Sequence, residues 1–184
     1  MTAKKKLLII DDEPNLLKLL DRIFSLEGYE VNTFENAKEG LNSIEHNRYF
    51  TALIDVFLPD IKGIELTKMI KERSPDTEVI VMTAYANIKD GVEAIKNGAF
   101  DYIEKGKDED EIILKVKQAS EKAGLKFKIK QLQDKLEKNL SFSSITGKSK
   151  IISEAIELAK KVADTNTVVL LLGETGTGKE LFAQ

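Results

Sequence analysis

Five short β-prone runs without polar alternation constrain this chain more than any other feature. Leu7-Leu8-Ile9-Ile10 is the clearest, and the others span residues 29–34, 51–54, 78–82 and 100–103. Between them the apolar spacing is helical. Pro14 opens one stretch that continues through Leu16, Leu17, Leu20, Ile23 and Phe24, and another carries Ile64, Leu66, Met69 and Ile70. Strands of this kind are buried on both faces, so five β/α units in succession predict an α/β fold with a parallel sheet between helix layers.

After Lys107 the strands stop. Asp108, Glu109, Asp110 and Glu111 favour a helix N-terminus, and Ile112, Val116, Ala119 and Ala123 follow at 4-3-4 spacing. A second 4-3-4 run, Leu125, Ile129, Leu132 and Leu136, is out of phase with the first, with Gly124 at the slip. The pattern predicts one long helix over 108–140, with the first stripe on the sheet and the second free to pair with another copy. The polar Ser141-Phe142-Ser143-Ser144 marks a boundary. A helix over 149–163, a turn, a strand over 167–172 and a Gly-rich loop over 173–178 are then expected. A strand, a phosphate-type loop and a few residues of helix do not close a core, so 141–184 reads as the truncated start of a second domain. The resulting division is a core over 1–107 whose final helix continues to about 122, a linker over 108–140, and the start of another domain over 141–184.

Composition narrows the chemistry. The 184 residues contain no Cys, which excludes disulfides, thiolate nucleophiles and Cys-ligated zinc, and suits a reducing cytoplasm. The single His46 removes His-rich metal sites, and its place among Glu45, Asn47 and Arg48 reads as a solvated helix end. Lys and Arg number 28 against 31 Asp and Glu, so there is no basic footprint for nucleic acid. No apolar stretch reaches the length of a membrane span, and no membrane partner is expected.

In a parallel sheet, side chains at the C-terminal strand ends converge on one crevice. Asp11 and Asp12 follow the first strand, Asp55 the third, Thr83 the fourth, and Lys105 lies just beyond the fifth. Clustered carboxylates repel unless a hard cation neutralises them, and oxygen-only ligands suit Mg²⁺. Thr83 and Lys105 would then hold an anion's oxygens. Taken singly, the same residues also read as helix caps, a loop start and a surface ion pair.

The stretches Ile9-Ile10-Asp11-Asp12-Glu13, Leu53-Ile54-Asp55-Val56-Phe57-Leu58-Pro59-Asp60-Ile61-Lys62-Gly63, Val81-Met82-Thr83-Ala84 and Asp101-Tyr102-Ile103-Glu104-Lys105 resemble the signatures of response-regulator receiver domains over about residues 5–122. The resemblance implies a flavodoxin-like (βα)5 fold with strand order 2-1-3-4-5. It also implies Asp55 as phospho-acceptor for a sensor histidine kinase, with Mg²⁺ on Asp11, Asp12, Asp55 and the backbone carbonyl of Phe57. Thr83 and Lys105 would contact the phosphoryl group, and Tyr102 would be the rotameric switch. One departure stands out: the family usually has Lys-Pro, commonly cis, where this chain has Lys105-Gly106. A cis bond before a non-proline costs about 2.5–4 kcal/mol, so the turn is trans or strained.

Gly173-Glu174-Thr175-Gly176-Thr177-Gly178-Lys179-Glu180 fits P-loop spacing except at its last position, where Ser or Thr would reach Mg²⁺. Backbone N–H groups freed by the glycines, with Lys179 at the helix start, suit phosphate. The octapeptide resembles the Walker A of sigma-54-dependent transcription activators, AAA+ ATPases of the nitrogen-regulatory (NtrC) family, and Ile145-Thr146-Gly147-Lys148-Ser149 is similar to that domain's opening. This second resemblance implies ATP as a cofactor of a longer parent protein, with sigma-54 RNA polymerase and DNA as partners through regions absent here. Without a Walker B acid or an arginine finger, the chain is not expected to hydrolyse ATP on its own. A rival expectation is a receiver-controlled P-loop ATPase with a non-transcriptional target. A blander one is a flavodoxin-like binder of a small phosphate ligand, which the three aspartates disfavour.

Overall fold

A computed structural model of the chain describes residues 5–85, 87–106, 109–139, 149–163, 165, 167–174, 176, 178–179 and 182, with side chains omitted for 136–139. The expected β/α alternation is present. The elements run β1 (Lys6–Ile10), α1 (Pro14–Leu26), β2 (Glu30–Phe34), α2 (Ala37–His46), β3 (Thr51–Asp55), α3 (Gly63–Arg73), β4 (Glu78–Thr83), α4 (Ile88–Lys96), β5 (Asp101–Glu104), α5 (Glu109–Asn139) and α6 (Lys150–Ala163). The sheet is parallel throughout, in the order β2-β1-β3-β4-β5.

Side-chain alternation along each strand divides the core in two. Leu8 and Ile10, with Ala52, Ile54, Val79 and Val81, face α2, α3 and α4, while Leu7 and Ile9, with Leu53, Ile80, Met82 and Ile103, face α1 and α5. Both faces are covered, which is why these strands tolerate no polar alternation. Pro14 takes the first turn of α1, and Leu17, Leu20 and Phe24 are its buried stripe. His46 is the exposed last residue of α2, as its neighbours suggested.

The chain divides into two compact units, Met1–Phe127 and Lys128–Gln184. Within the first unit, Val116, Ala119 and Ala123 are fully buried and Ile112 packs beside them, so the first stripe of α5 covers the sheet. Docking continues further than the spacing indicated. Phe127 is buried, edge-on to Phe50 at 4.8 Å between centroids, with the Arg48 guanidinium 3.7 Å over its ring. Glu78, at the start of β4, is 2% exposed and binds Lys122 at 3.2 Å and Lys126 at 2.5 Å.

In the second unit Ser149 caps α6, its hydroxyl accepting the Ile152 N–H at 3.3 Å. The strand expected over 167–172 is not formed. Residues 167–172 have no regular structure, and Val168, Leu170 and Leu172 are largely exposed. A parallel strand takes its hydrogen bonds from neighbours, and no described strand lies beside this run. No helix among the described residues is long and apolar enough to cross a membrane.

Candidate functional site

The C-terminal ends of β1, β3 and β4 and the turn after β5 bring together the residues singled out from strand-end position. Asp11 and Asp55 are buried and Asp12 is exposed, and ligand oxygens of the three lie within 4.8 Å of one another. Lys105 reaches into this cluster. Its ammonium is 2.8 Å from Asp11 Oδ2, 3.1 Å from Asp55 Oδ1 and 3.1 Å from Glu13 Oε1. Glu13 stands directly after the acidic pair, yet nothing in the sequence marks it as a partner of Lys105.

Local backbone fixes the carboxylates. The Glu13 N–H donates to Asp11 Oδ1 at 3.0 Å, and the Phe57 N–H donates to Asp55 Oδ2 at 3.2 Å. The Gly63 N–H donates to the Val56 carbonyl at 2.9 Å, closing the loop after Asp55. A Cβ on Gly63 would run into the Asp55 carbonyl oxygen, so that position requires glycine.

The Lys105–Gly106 peptide is trans, and Gly106 sits at φ +79°, a left-handed conformation that proline does not adopt. The departure from Lys-Pro therefore alters the turn without withdrawing the ammonium. Thr83 is fully buried, and its hydroxyl donates to the Tyr85 carbonyl at 3.2 Å and accepts the Tyr85 N–H at 3.3 Å. The structure thus places Thr83 at the strand end but ties it to its own loop rather than to the carboxylates. Tyr102, on β5, packs against Gly91, and its buried hydroxyl has no hydrogen-bond partner among the described residues.

Electrostatically the cluster is short of positive charge. Burial raises the Asp55 carboxyl above its ordinary 3.8, the charge of Lys105 offsetting only part of the effect. Asp11 is raised for the same reason, although Lys105 and the Glu13 N–H oppose it. Burial alone would depress the Lys105 ammonium, but Asp11, Glu13 and Asp55 outweigh it and raise its pKa. One ammonium thus serves three carboxylates while Asp12 stands beside them. Asp11 Oδ2 meets the Lys105 ammonium at 2.8 Å but receives no well-directed hydrogen bond among the described residues. Hard oxygen donors, net negative charge and an under-satisfied oxygen fit a divalent cation such as Mg²⁺.

In the Gly-rich loop, Gly176 and Gly178 have φ +85° and +80°. Lys179 donates to the carbonyls of Gly173 at 2.7 Å and Glu174 at 2.6 Å. Thr175, Thr177 and Glu180 lie outside the described residues, as does the similarity at 145–148.

Comparison with known proteins agrees with the fold. Residues 7–117 match the response regulator receiver domain, and residues 145–184 match the Sigma-54 interaction domain. The regulatory protein AtoC of Escherichia coli K12 is 35% identical over 100% of this chain and 40% of the relative. The DNA-binding transcriptional regulator NtrC of the same strain is 31% identical over 95% of this chain and 36% of the relative. The chain thus spans about two fifths of the length of the curated relatives it matches. Among solved structures, a CheY-like receiver from Methanospirillum hungatei JF-1 aligns with TM-score 0.64 and 32% identity, covering 67% of this chain and 99% of that one. NtrX from Brucella abortus in complex with ADP aligns with TM-score 0.65 and 30% identity over 98% of this chain and 39% of that one. The chain belongs to the response regulator receiver domain family, with a partial match to the Sigma-54 interaction domain after its linker helix.

Proposed function

We propose that this chain is the regulatory part of a two-component, sigma-54-dependent transcription activator, phosphorylated on Asp55 by a sensor histidine kinase in the cytoplasm. The observation that carries the reading is the convergence of Asp11, Asp12, Asp55 and Lys105 at one sheet edge. A carboxylate oxygen of Asp55 forms the new bond to phosphorus as the bond to the kinase's histidine nitrogen breaks. Asp11, Asp12, Asp55 and the Phe57 carbonyl would hold Mg²⁺. When bound, the cation supplies neutralisation of the charge spread over the phosphoryl oxygens. Lys105 then exchanges part of its contact with Asp55 for a phosphoryl oxygen, and Thr83 would turn from Tyr85 toward the same group. The added charge beside Thr83 biases Tyr102, whose buried hydroxyl has no hydrogen-bond partner among the described residues.

The match of 145–184 to the Sigma-54 interaction domain supports a transcriptional target over a remodelling ATPase. ATP would bind the Walker A residues of the longer parent, and sigma-54 RNA polymerase and DNA would be engaged by its remaining regions. The exposed ridge of Leu125, Ile129 and Leu132 supports a homodimer through the linker helix. Mass spectrometry after incubation with a small phosphodonor and Mg²⁺ tests the core of the proposal. One phosphoryl group is expected on wild type and none on Asp55→Asn; full incorporation in the variant would overturn the assignment.

A further inference from the structure

The loop between Asp55 and α3 contains a carboxylate that the phosphoryl chemistry does not use. Asp60 reaches across to the N-terminus of α2. Its Oδ1 accepts the Ala37 N–H at 3.0 Å and the Ile61 N–H at 3.0 Å, and its Oδ2 accepts the Lys38 N–H at 3.0 Å. Asn36 takes the next donor, its side-chain oxygen accepting the Glu39 N–H at 3.0 Å. The orphan donors of the first turn are thus divided between a local cap and a residue 22–23 positions away.

The same stretch also holds the other half of the acid cluster. The Asp11 N–H donates to the Phe34 carbonyl at 3.1 Å. Residues 34–38 therefore touch the loop after β1 through Phe34 and the loop after β3 through Ala37 and Lys38. They form a strut between the two sources of carboxylates. At its ends the β3–α3 loop is fixed by Val56 N–H to the Met82 carbonyl at 2.9 Å and Gly63 N–H to the Val56 carbonyl at 2.9 Å. Between those ends Leu58 and Ile61 rest on the core, and Pro59 has no N–H to contribute. The polar tie that sets the middle of this loop against a neighbouring element is Asp60.

We propose that Asp60 is a positioning residue for the cation site: by binding the α2 N-terminus it holds the β3–α3 loop so that the Phe57 carbonyl can join Asp11, Asp12 and Asp55 around a divalent cation. The inference rests on the metal-site reading given above. Backbone donors and the positive end of α2 keep the Asp60 carboxylate ionised, since they outweigh burial and leave its pKa below the ordinary 3.8. The tie therefore persists through the whole range in which the site could load a cation.

The test is a Mg²⁺ titration of the unphosphorylated chain, followed by nuclear magnetic resonance shifts of the Asp55 loop, with thermal midpoints recorded in parallel. Supporting residues around metal sites typically contribute roughly 10–100-fold in affinity, and Asp60→Ala is expected to weaken Mg²⁺ binding at the low end, about tenfold. Asp60→Asn, whose single amide oxygen can still accept from Ala37 and Ile61 while its amide nitrogen meets the Lys38 N–H, is expected to recover only part of that loss. Asn36→Ala removes a cap from the same helix without touching the loop. It is expected to lower the midpoint and leave Mg²⁺ affinity unchanged. Ala37→Pro attacks the tie from the other end by deleting the N–H donor. Asn36 is already extended at φ −146° and ψ 157°, as a residue before proline should be, and proline suits the first helical position. Because the Lys38 N–H still binds Asp60 Oδ2, Ala37→Pro is expected to weaken Mg²⁺ binding in the same direction as Asp60→Ala but less, and it carries the test should Asp60→Ala not fold. Wild-type affinity in both Asp60→Ala and Ala37→Pro, or an equal loss in Asn36→Ala, overturns the proposal. Failure of wild type itself to bind Mg²⁺ would instead remove the metal-site reading on which it stands.

Discussion

Residues 7–10 and 168–172 are nearly the same sequence in chemical terms, runs of Val, Leu and Ile, and they meet opposite fates. Leu7, Leu8, Ile9 and Ile10 are each 0% exposed, whereas Val168 is 97% and Leu172 85% exposed. The first run lies between β2 and β3, which supply hydrogen bonds on both sides, while α1, α2 and α5 supply side chains above and below. The second has no described strand beside it. The two lysines at the ends of these regions repeat the contrast. Lys105 is held by carboxylates from two strand ends and a helix start, and Lys179 turns back onto carbonyls of its own loop. An apolar run permits a strand, but its neighbours decide whether one forms.

The largest effect that would sharpen this contrast is a matched pair of truncations. Leu53→Ala empties a fully buried position in β3 and is expected to cost about 2–5 kcal/mol, lost transfer energy plus a cavity. Leu170→Ala, at a position 79% exposed, is expected to stay within about 0.5 kcal/mol of wild type. Urea unfolding curves measure both. Similar costs at the two sites would show that the second run is packed, and the contrast would fail.

A smaller effect is expected where the first unit ends. Glu78 is buried beneath Lys122 and Lys126, so Glu78→Gln exchanges two charge-assisted contacts for weaker ones, and about 1–3 kcal/mol should be lost at neutral pH. Burial alone would raise its pKa, but Lys126 and Lys122 outweigh burial and hold it below the ordinary 4.5. Its contribution is therefore complete above pH 4.5 and fades as pH falls through the lowered value. Asp11 and Asp55 behave oppositely, because their raised values mean that the folded state binds protons first. They oppose folding at neutral pH, and acidification toward 3.8 relieves that penalty. Thermal midpoints of wild type and Glu78→Gln between pH 3 and 8 should converge at the acid end. A constant gap would show that the two lysine contacts do not set the stability difference.

These two regions also explain what the sequence could reveal. The five strands were legible from their unalternated apolar runs, and the meeting of Asp11, Asp12, Asp55 and Lys105 because strand ends of a parallel sheet share one edge, whereas the order of the strands came only from the resemblance to receiver domains. The first stripe of α5 was legible from its spacing. Glu78 was not, since a carboxylate opening a strand carries no pattern, and its lysines lie 44 and 48 residues away. The Phe50, Phe127 and Arg48 stack was hidden for the same reason, and Phe127 fits neither 4-3-4 stripe. Asp60 resembles any loop aspartate until α2 is seen above it. The strand over 167–172 was expected because residue propensity does not report whether a strand lies beside the run, and among the described residues none does.

The linker tests the boundary itself. Leu125, Ile129 and Leu132 are 64%, 56% and 51% exposed, an apolar ridge that a second copy would cover. Two heptads give a weak association, so the sedimentation coefficient should rise with concentration in wild type and stay flat in Leu132→Lys/Leu136→Lys. Leu136 is included for its spacing, since its side chain lies outside the described set. If wild type also runs as a monomer at every concentration, the ridge serves contacts within one chain.

The smallest expected effect is at the Gly-rich loop, where the motif is present but no described strand lies beside the run that precedes it. A P-loop binds phosphate because a strand and a helix hold its N–H groups in register, and here the run before the loop is exposed and unpaired. The Lys179 ammonium already donates to Gly173 and Glu174, so a phosphate must compete for it. Calorimetry with ATP and Mg²⁺ is therefore expected to give a dissociation constant no tighter than about 1 mM, roughly −4 kcal/mol, and Lys179→Ala should leave the unfolding of residues 5–127 unchanged. A micromolar constant corresponds to about −8 kcal/mol. A difference of that size, if abolished by Lys179→Ala, requires a loop held rigid before nucleotide arrives, and the contrast drawn between the two lysines would no longer stand.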